Sequence, residues 1–332
     1  MTDIADVQPY TRLRVNAKGT SYEGLLLPSE DKSVVLKLDN GYNVGLLSAY
    51  VDDVEVLQTP TTPKVPKNDI AVAKHADLPS LVVLHTGGTI ASRVDYATGG
   101  VNADFSPESL LGMFPELTEL VKLDSEFLGN MWSDDFRFAH FNRLAKAIHR
   151  HALEGKRKFI VSCGTDFLHY ASAALSFILK DVPVGVLVVG AQRSSDRGSS
   201  DAGMNLVCAA QFLASTQFTG VASCMHASID DDACYIIAGT HVRKMHSSRR
   251  DAFKPINDGP LAKVDFSSRK VDILQSFPSD KHADLPKNLP FINEDLKIGL
   301  LYSRPQLFAQ ELSLYEEFDG LVLAGSGLGQ FP

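Results

Sequence analysis

Four short segments spread over 160 residues of this chain carry, among them, Thr89, Thr165, Asp166 and Lys244. They are His85-Thr86-Gly87-Gly88-Thr89-Ile90-Ala91-Ser92, Gly164-Thr165-Asp166, Gly190-Ala191-Gln192-Arg193 and Val242-Arg243-Lys244. These residue types suit attack of a hydroxyl on an amide. A hydroxyl is a poor nucleophile until a base takes its proton, so Thr89 or Thr165 needs a partner. Lys244, desolvated beside Thr165 and Asp166, would be the basic member of such a relay. Gly87 and Gly88 let backbone approach a ligand closely and leave N–H groups free to face a developing oxyanion. Ser133-Asp134-Asp135 adds a hydroxyl and carboxylates suited to the α-carboxylate and α-ammonium of a free amino acid.

Each segment also has a plainer reading. Gly-Gly-Thr can be a strand-to-helix turn, Gly164-Thr165-Asp166 and Ser133-Asp134-Asp135 can be helix caps, and Lys244 can be a solvated surface lysine. The polar run from Arg193 to Asn205 reads as structural. His140, His149, His151, His226, His241 and His246 are scattered without metal-ligand grouping. No G-x-x-x-x-G-K or G-x-G-x-x-G follows a strand, which removes a phosphate-binding reading.

The elements that must position these residues fall into two parts. Residues 1–57 carry short β-branched runs (Arg12–Ala17, Tyr22–Leu27, Val34–Leu38, Tyr42–Leu47) and an Asp39-Asn40-Gly41 turn, which predict a small all-β barrel. Residues 58–79 contain Pro60, Pro63, Pro66 and Pro79 and read as a linker. From residue 80 onward apolar strands alternate with amphipathic helices. Strands are expected at Leu81–Leu84, Phe159–Ser162, Val184–Val189, Val221–Met225, Tyr235–Ala238, Ile298–Tyr302 and Leu321–Ala324. Helices are expected from Pro107 after a Ser106 cap, around Phe138–Ile148 with Gly155 as the stop, over Phe167–Lys180 and over Gly203–Ala214. This is an α/β pattern: a mostly parallel sheet with flanking helices, preceded by the β unit. Ligands of such sheets bind beyond the carboxyl ends of the strands. Three of the chemical segments begin where a strand ends.

Composition narrows the function classes. With 332 residues, 44% hydrophobic and 22% charged, the chain can bury a sizeable core. A net charge of −8 with interspersed signs offers no basic face to a phosphate backbone, so RNA contact would fall to a partner. The four cysteines lack C-x-x-C spacing and read as reduced thiols of a cytoplasmic protein. The acidic N-terminus does not read as a secretory signal, and no apolar stretch suits a membrane span.

Taken together, Thr86-Gly87-Gly88-Thr89-Ile90-Ala91, Gly164-Thr165-Asp166, Gly190-Ala191-Gln192-Arg193 and Lys244 resemble the L-asparaginase/glutaminase family. With a β domain ahead of them, they are similar to the D-subunit branch of that family in archaeal tRNA-dependent amidotransferases. Lys37-Leu38-Asp39-Asn40-Gly41-Tyr42-Asn43-Val44-Gly45, Val94 to Val101 and Arg193-Ser194-Ser195-Asp196-Arg197 look like signatures of that branch. The resemblance implies an asparaginase-like N-terminal lobe, with the nucleophilic threonine at Thr89 and an assisting tyrosine at Tyr96. It places the second threonine and its aspartate at Thr165 and Asp166, and the lysine at Lys244. Gly88, Ser133, Asp135 and Gly164 would hold the substrate. It further implies hydrolysis of free glutamine through an acyl-enzyme, with ammonia passed to a partner E subunit in a heterotetramer of two D and two E chains. That partner would contact the tRNA and use ATP and magnesium to convert Glu-tRNA(Gln) to Gln-tRNA(Gln); no cofactor is expected in this chain. Which threonine attacks first, and whether glutamine or asparagine is preferred, stays open. A free-standing cytosolic L-asparaginase and a non-catalytic scaffold are the alternative readings.

Three departures from the family pattern accompany the resemblance. Cys163 and Phe167 flank Gly164-Thr165-Asp166 where the family has histidine and threonine, and Ser133-Asp134-Asp135-Phe136 replaces its Ser-Glu-Asn-Met. The family also continues past Gly325-Ser326-Gly327-Leu328-Gly329 with a smaller lobe, so a chain ending at Pro332 is expected to be a truncated form without that lobe.

Overall fold

The computed structural model describes residues 7–8, 11–27, 33–38, 43–58, 78–87, 90, 92–94, 101–103, 107–193, 199–279 and 284–332. The Asp39-Asn40-Gly41 turn, the Ser106 cap and nearly all of the 58–79 linker therefore lie outside the described residues.

The expected all-β unit is a five-stranded antiparallel sheet of β1 (Arg12–Ala17), β2 (Thr20–Leu27), β3 (Ser33–Leu38), β4 (Asn43–Leu47) and β5 (Val51–Gln58), in the order β4-β3-β2-β1-β5. Leu13 and Val15 of β1, Leu26, Val34, Leu36 and Val54 form its core. Residues two apart on β1 point to the same face, and that face is the buried one. Lys18 and Gly19 join β1 to β2 with φ of 49° and 77°, the left-handed pair that matches the twist of a two-residue hairpin.

The second part runs β6 (Ser80–His85), β7 (Ser92–Val94), β8 (Val101–Ala103), α1 (Pro107–Met113), β9 (Lys122–Phe127), α2 (Phe138–Leu153), β10 (Lys158–Ser162) and α3 (Leu168–Ile178). It continues with β11 (Gly185–Val189), α4 (Ala202–Ser215), β12 (Gly220–His226), β13 (Ala233–Ala238), β14 (Val242–Lys244), β15 (Phe253–Pro255), β16 (Ala262–Asp265), β17 (Val271–Ile273), β18 (Ile298–Tyr302), α5 (Ala309–Ser313) and β19 (Gly320–Ala324). One eight-stranded sheet has the order β17-β16-β13-β12-β11-β10-β6-β9. β9, β6, β10, β11 and β12 are parallel neighbours, and β13, β16 and β17 continue antiparallel. The sheet is thus mixed, with its parallel part at the motif-bearing strands.

Alternation along each central strand supplies two faces. Leu81, Val83, Ile160, Leu187 and Val189 pack with Leu206, Val207, Ala210 and Phe212 of α4, while Val82, Leu84, Phe159, Val161, Val186 and Val188 pack with α2 and α3. Because both faces are covered, β10 and β11 read as unbroken apolar runs. α2 buries Phe141, Leu144, Ala145, Ile148 and Ala152, the stripe that a 3.6-residue period aims at one side. It begins with the Arg137 backbone N–H donating to His140 Nδ1 at 2.9 Å, which gives one of the scattered histidines a structural role. It stops before Gly155, whose φ of +91° costs glycine little. β9 and the β16–β17 pair escape sequence reading. They lie at the ends of the sheet order, where polar alternation such as Lys122-Leu123-Asp124-Ser125-Glu126-Phe127 is tolerated.

β18 and β19 form a separate parallel pair with Leu300 opposite Val322. Leu300 and Val322, paired across the two strands, are both exposed, as are Leu323, Phe308 and Leu314, and exposed apolar surface favours association. The 332-residue chain is expected to self-associate at micromolar concentration, and Leu300→Glu with Val322→Lys to reduce it. Sedimentation velocity checks this; an unchanged distribution for the double variant would refute the role of this face. Among the described residues no helix is long and apolar enough to cross a membrane.

Candidate active site

The parallel register decides which loops meet. His85 lies opposite Ser162 and Ser162 opposite Val189, so the connections leaving β6, β10 and β11 start side by side at one sheet edge. β9 joins them, with Phe127 opposite His85. The Thr86 backbone N–H donates to the Ser162 carbonyl at 3.1 Å, and Met131 N–H donates to the Thr86 carbonyl at 3.0 Å. Gly87 has a φ of +107°, and a Cβ there would lie 2.7 Å from both Met131 N and Met131 O. The glycine is therefore required by conformation and by closeness to backbone at once.

Thr165 and Asp166 leave the end of β10 and meet Lys244, the last residue of β14. The Lys244 ammonium donates to Thr165 Oγ1 and to Asp166 Oδ1, each at 2.8 Å. The lysine side chain is 8% exposed and the aspartate 67%, so the cation is desolvated while the carboxylate stays open to solvent. Neither Thr165 nor Asp166 caps α3; Phe167 holds the cap position of that helix and makes no side-chain cap bond. The Thr165 hydroxyl donates to Gln192 Oε1 at 3.1 Å.

Ser133 is buried and accepts the Phe167 backbone N–H at 3.2 Å, so it satisfies one of the free donors at the start of α3. A Cβ on Gly164 would sit 3.0 Å from Ser133 Oγ, which ties the Gly164 turn to this serine. Asp135 is exposed at the end of the Ser133–Asp135 turn. Gly88, Thr89 and Tyr96 lie outside the described residues.

Asp166, His169, Lys244, Met245, His246 and Ser247 line an open depression of about 300 Å³, the small end of the usual range for ligand pockets. Sequence reading missed His169. It carried no local signal, because Asp166 precedes the cap residue Phe167 and only the fold brings it and His169 of α3 to one depression. Burial, and then the charges of Arg243 and Lys244, lower its pKa. Cys163 is buried in the core below the turn, and burial pushes its thiol up to about 12, which keeps it protonated. Among the described residues no group of three or more His, Cys, Asp or Glu is placed to hold a metal ion.

His85, 1% exposed, shares a hydrogen bond with Ser162 Oγ at 2.8 Å, and burial pushes its pKa down to about 4. The unfolded chain binds a proton on this ring first, near pH 6.5, so the folded state is fully favoured above that pH and loses stability as pH falls toward 4. The loss is about 3 kcal/mol at full effect. Urea midpoints at pH 7.5 and 4.5 should differ less in His85→Asn than in the parent; equal differences would contradict the assignment.

The family described as "Asparaginase, N-terminal" matches residues 80–278, the part that carries this geometry, and the GatD N-terminal domain matches residues 7–57. The D subunit of the Archaeoglobus fulgidus glutamyl-tRNA(Gln) amidotransferase is 41% identical over 323 residues, 96% of this chain and 74% of that protein.

The chain belongs to the amidotransferase D-subunit family.

The D subunit of Pyrococcus furiosus is 36% identical over 94% of this chain and 72% of its own length. This member of the D-subunit family thus spans about three-quarters of the curated relatives it matches. The L-asparaginase of Thermococcus kodakarensis superposes with a TM-score of 0.63 and 28% identity, over 76% of this chain and 73% of that one. The α/β part of the D-subunit fold is thus that of an asparaginase-type amidohydrolase.

Proposed function

We propose that this chain is the glutaminase subunit of a tRNA-dependent amidotransferase. It hydrolyses glutamine through a threonine nucleophile and supplies ammonia for converting Glu-tRNA(Gln) to Gln-tRNA(Gln). The observation that carries the reading is the Lys244 ammonium held 2.8 Å from both Thr165 Oγ1 and Asp166 Oδ1 at the carboxyl edge of an asparaginase-type sheet. A desolvated lysine between a hydroxyl and a carboxylate can relay protons, accepting one as the neutral amine and returning it as the ammonium.

In this reading a threonine oxygen attacks the side-chain amide carbon of glutamine, and the hydroxyl proton passes through the relay to the amide nitrogen. The C–N bond breaks, ammonia leaves, and a threonine ester remains. Water, deprotonated through Thr165, Lys244 and Asp166, hydrolyses the ester to glutamate and restores the hydroxyl. Thr89 is assigned as the nucleophile and Tyr96 as its assistant on motif alone, with Gly88, Gly164, Ser133 and Asp135 around the substrate. The chain carries no cofactor of its own. ATP and magnesium act on the E subunit, which holds the tRNA, in an assembly of two D and two E chains in the cytoplasm.

A free-standing asparaginase is the competing reading, and it leaves the match of residues 7–57 without a use. The test combines the protein with an E subunit, Glu-tRNA(Gln) and ATP, and compares glutamine with ammonium chloride as nitrogen donor. Glutamine-dependent amidation is expected. Amidation with ammonium but not with glutamine would defeat the proposal.

A further inference from the structure

The depression beside the relay holds two histidines for which the relay itself has no use. We infer that His246, with His169 beside it, binds the α-carboxylate of the glutamine substrate through ring N–H groups; the inference rests on the glutaminase reading above.

The loop after Lys244 fixes the ring of His246. The backbone N–H groups of Ser248 and Arg249 donate to its Nδ1 at 3.1 and 3.2 Å. A ring nitrogen that accepts carries no proton, so the neutral imidazole holds its hydrogen on Nε2. A flipped ring would turn a carbon toward both N–H groups, which fixes the orientation as well. The loop is itself tightly held: Met245 N–H donates to the Ala252 carbonyl at 2.7 Å, and Arg249 makes two bonds to Asp251 at 2.8 and 2.9 Å. His246 is exposed and lines the depression together with Asp166 and Lys244. Its Nε2–H is therefore a positioned donor for a molecule bound there.

His169 lines the same depression. Its Nδ1 is buried with no hydrogen-bond partner among the described residues. A bare lone pair costs less in that position than a bare N–H, so its proton also belongs on Nε2. Burial and the charges of Arg243 and Lys244 lower its pKa, which keeps the ring uncharged at neutral pH. The same two cations give this part of the depression a positive potential. Imidazole donors in a positive potential suit a carboxylate. The Asp166 carboxylate, open to solvent, suits the ammonium of the same molecule, and about 300 Å³ leaves room for a free amino acid. Ser133 brings one hydroxyl where a carboxylate takes several donors. It is 3% exposed, and its oxygen already receives the Phe167 N–H at 3.2 Å.

The test uses His246→Asn, whose side-chain oxygen can still accept the Ser248 and Arg249 N–H groups while the Nε2–H is lost. It is assayed in the assembled amidotransferase with L-glutamine and with the α-carboxamide of L-glutamine, which keeps the side-chain amide and has no α-carboxylate. Side-chain hydrolysis is read as glutamate from the first and isoglutamine from the second; where the second is turned over too slowly, its competitive inhibition constant is compared instead. His246→Asn should raise KM for glutamine about 10- to 100-fold, the range of a hydrogen bond to a charged group, with kcat within about threefold of the parent. For the α-carboxamide, parent and variant should agree within about threefold. A parent-like KM for glutamine overturns the inference, and so does an equal loss on both substrates. Should His246→Asn fail to fold, His169→Leu decides by the same comparison, with a rise in KM for glutamine alone expected. If Lys244→Met is inactive while His246→Asn is parent-like on glutamine, only this inference fails; if Lys244→Met is parent-like, the glutaminase reading fails with it.

Discussion

Lys244→Met is expected to lower glutamine-dependent turnover by about a thousandfold or more, the scale of losing a general base together with the group it activates. Methionine keeps most of the lysine stem, so packing at a site where the side chain is only 8% exposed is largely preserved. What disappears is the donor to Thr165 Oγ1 and the counter-charge to Asp166. Asp166 is exposed enough for water to take over its solvation, so stability should change by no more than about 1 kcal/mol. The contrast between a large kinetic effect and a small thermal one is the informative outcome. Amidation driven by ammonium, which bypasses this chain's chemistry, should persist in the same preparation. Turnover within tenfold of the parent would remove Lys244 from the relay.

The second large effect is structural. Asp201→Ala should cost about 3–5 kcal/mol and depress the thermal midpoint of the α/β part by roughly 5–10 °C. Asp201 is fully buried and occupies the N-cap position of α4 without a side-chain cap bond there. Its carboxylate instead turns back to accept three N–H groups, those of Gln192, Arg193 and the Asn205 side chain at 3.1 Å. Alanine would remove this acceptor from the part-buried backbone N–H groups of Gln192 and Arg193 and from the fully buried Asn205 amide, and donors left unsatisfied in the interior carry a desolvation penalty. Asp201→Asn keeps one acceptor oxygen and should recover part of the loss. Equal midpoints for parent and Asp201→Ala, read by differential scanning calorimetry, would show that the turn is held by other contacts.

Lys244 and Asp201 both act through contacts that no local stretch of sequence contains, whereas much of the framework around them was legible. Strand and helix identity could be read for β10, β11, β12, β18 and α2 because apolar periodicity is a local property of the chain. It could not be read for β9, β16 and β17, whose short, polar-alternating sequences become strands only when the edge of the sheet is there to pair with them. Ser133 illustrates the same limit within the site: its segment was visible, yet its bond to Phe167 N–H, 34 residues away in the chain, was not. Gln192 stood inside one of the four segments, but its bond to Thr165 was not visible there, and His169 carried no local signal.

Sequence alone determined the residue types available for amide chemistry, the division into an all-β part and an α/β part, and the family resemblance carried by four motifs. Only the tertiary structure decided that Thr165, Asp166 and Lys244 touch. The helix-capping and surface-lysine readings of these residues were equally consistent with their local sequence. The physical reason is that a hydrogen bond between residues 78 or 79 positions apart is set by how the separate β14–β15 pair packs beside the end of β10 and by the burial of a cation. No window of the sequence contains either.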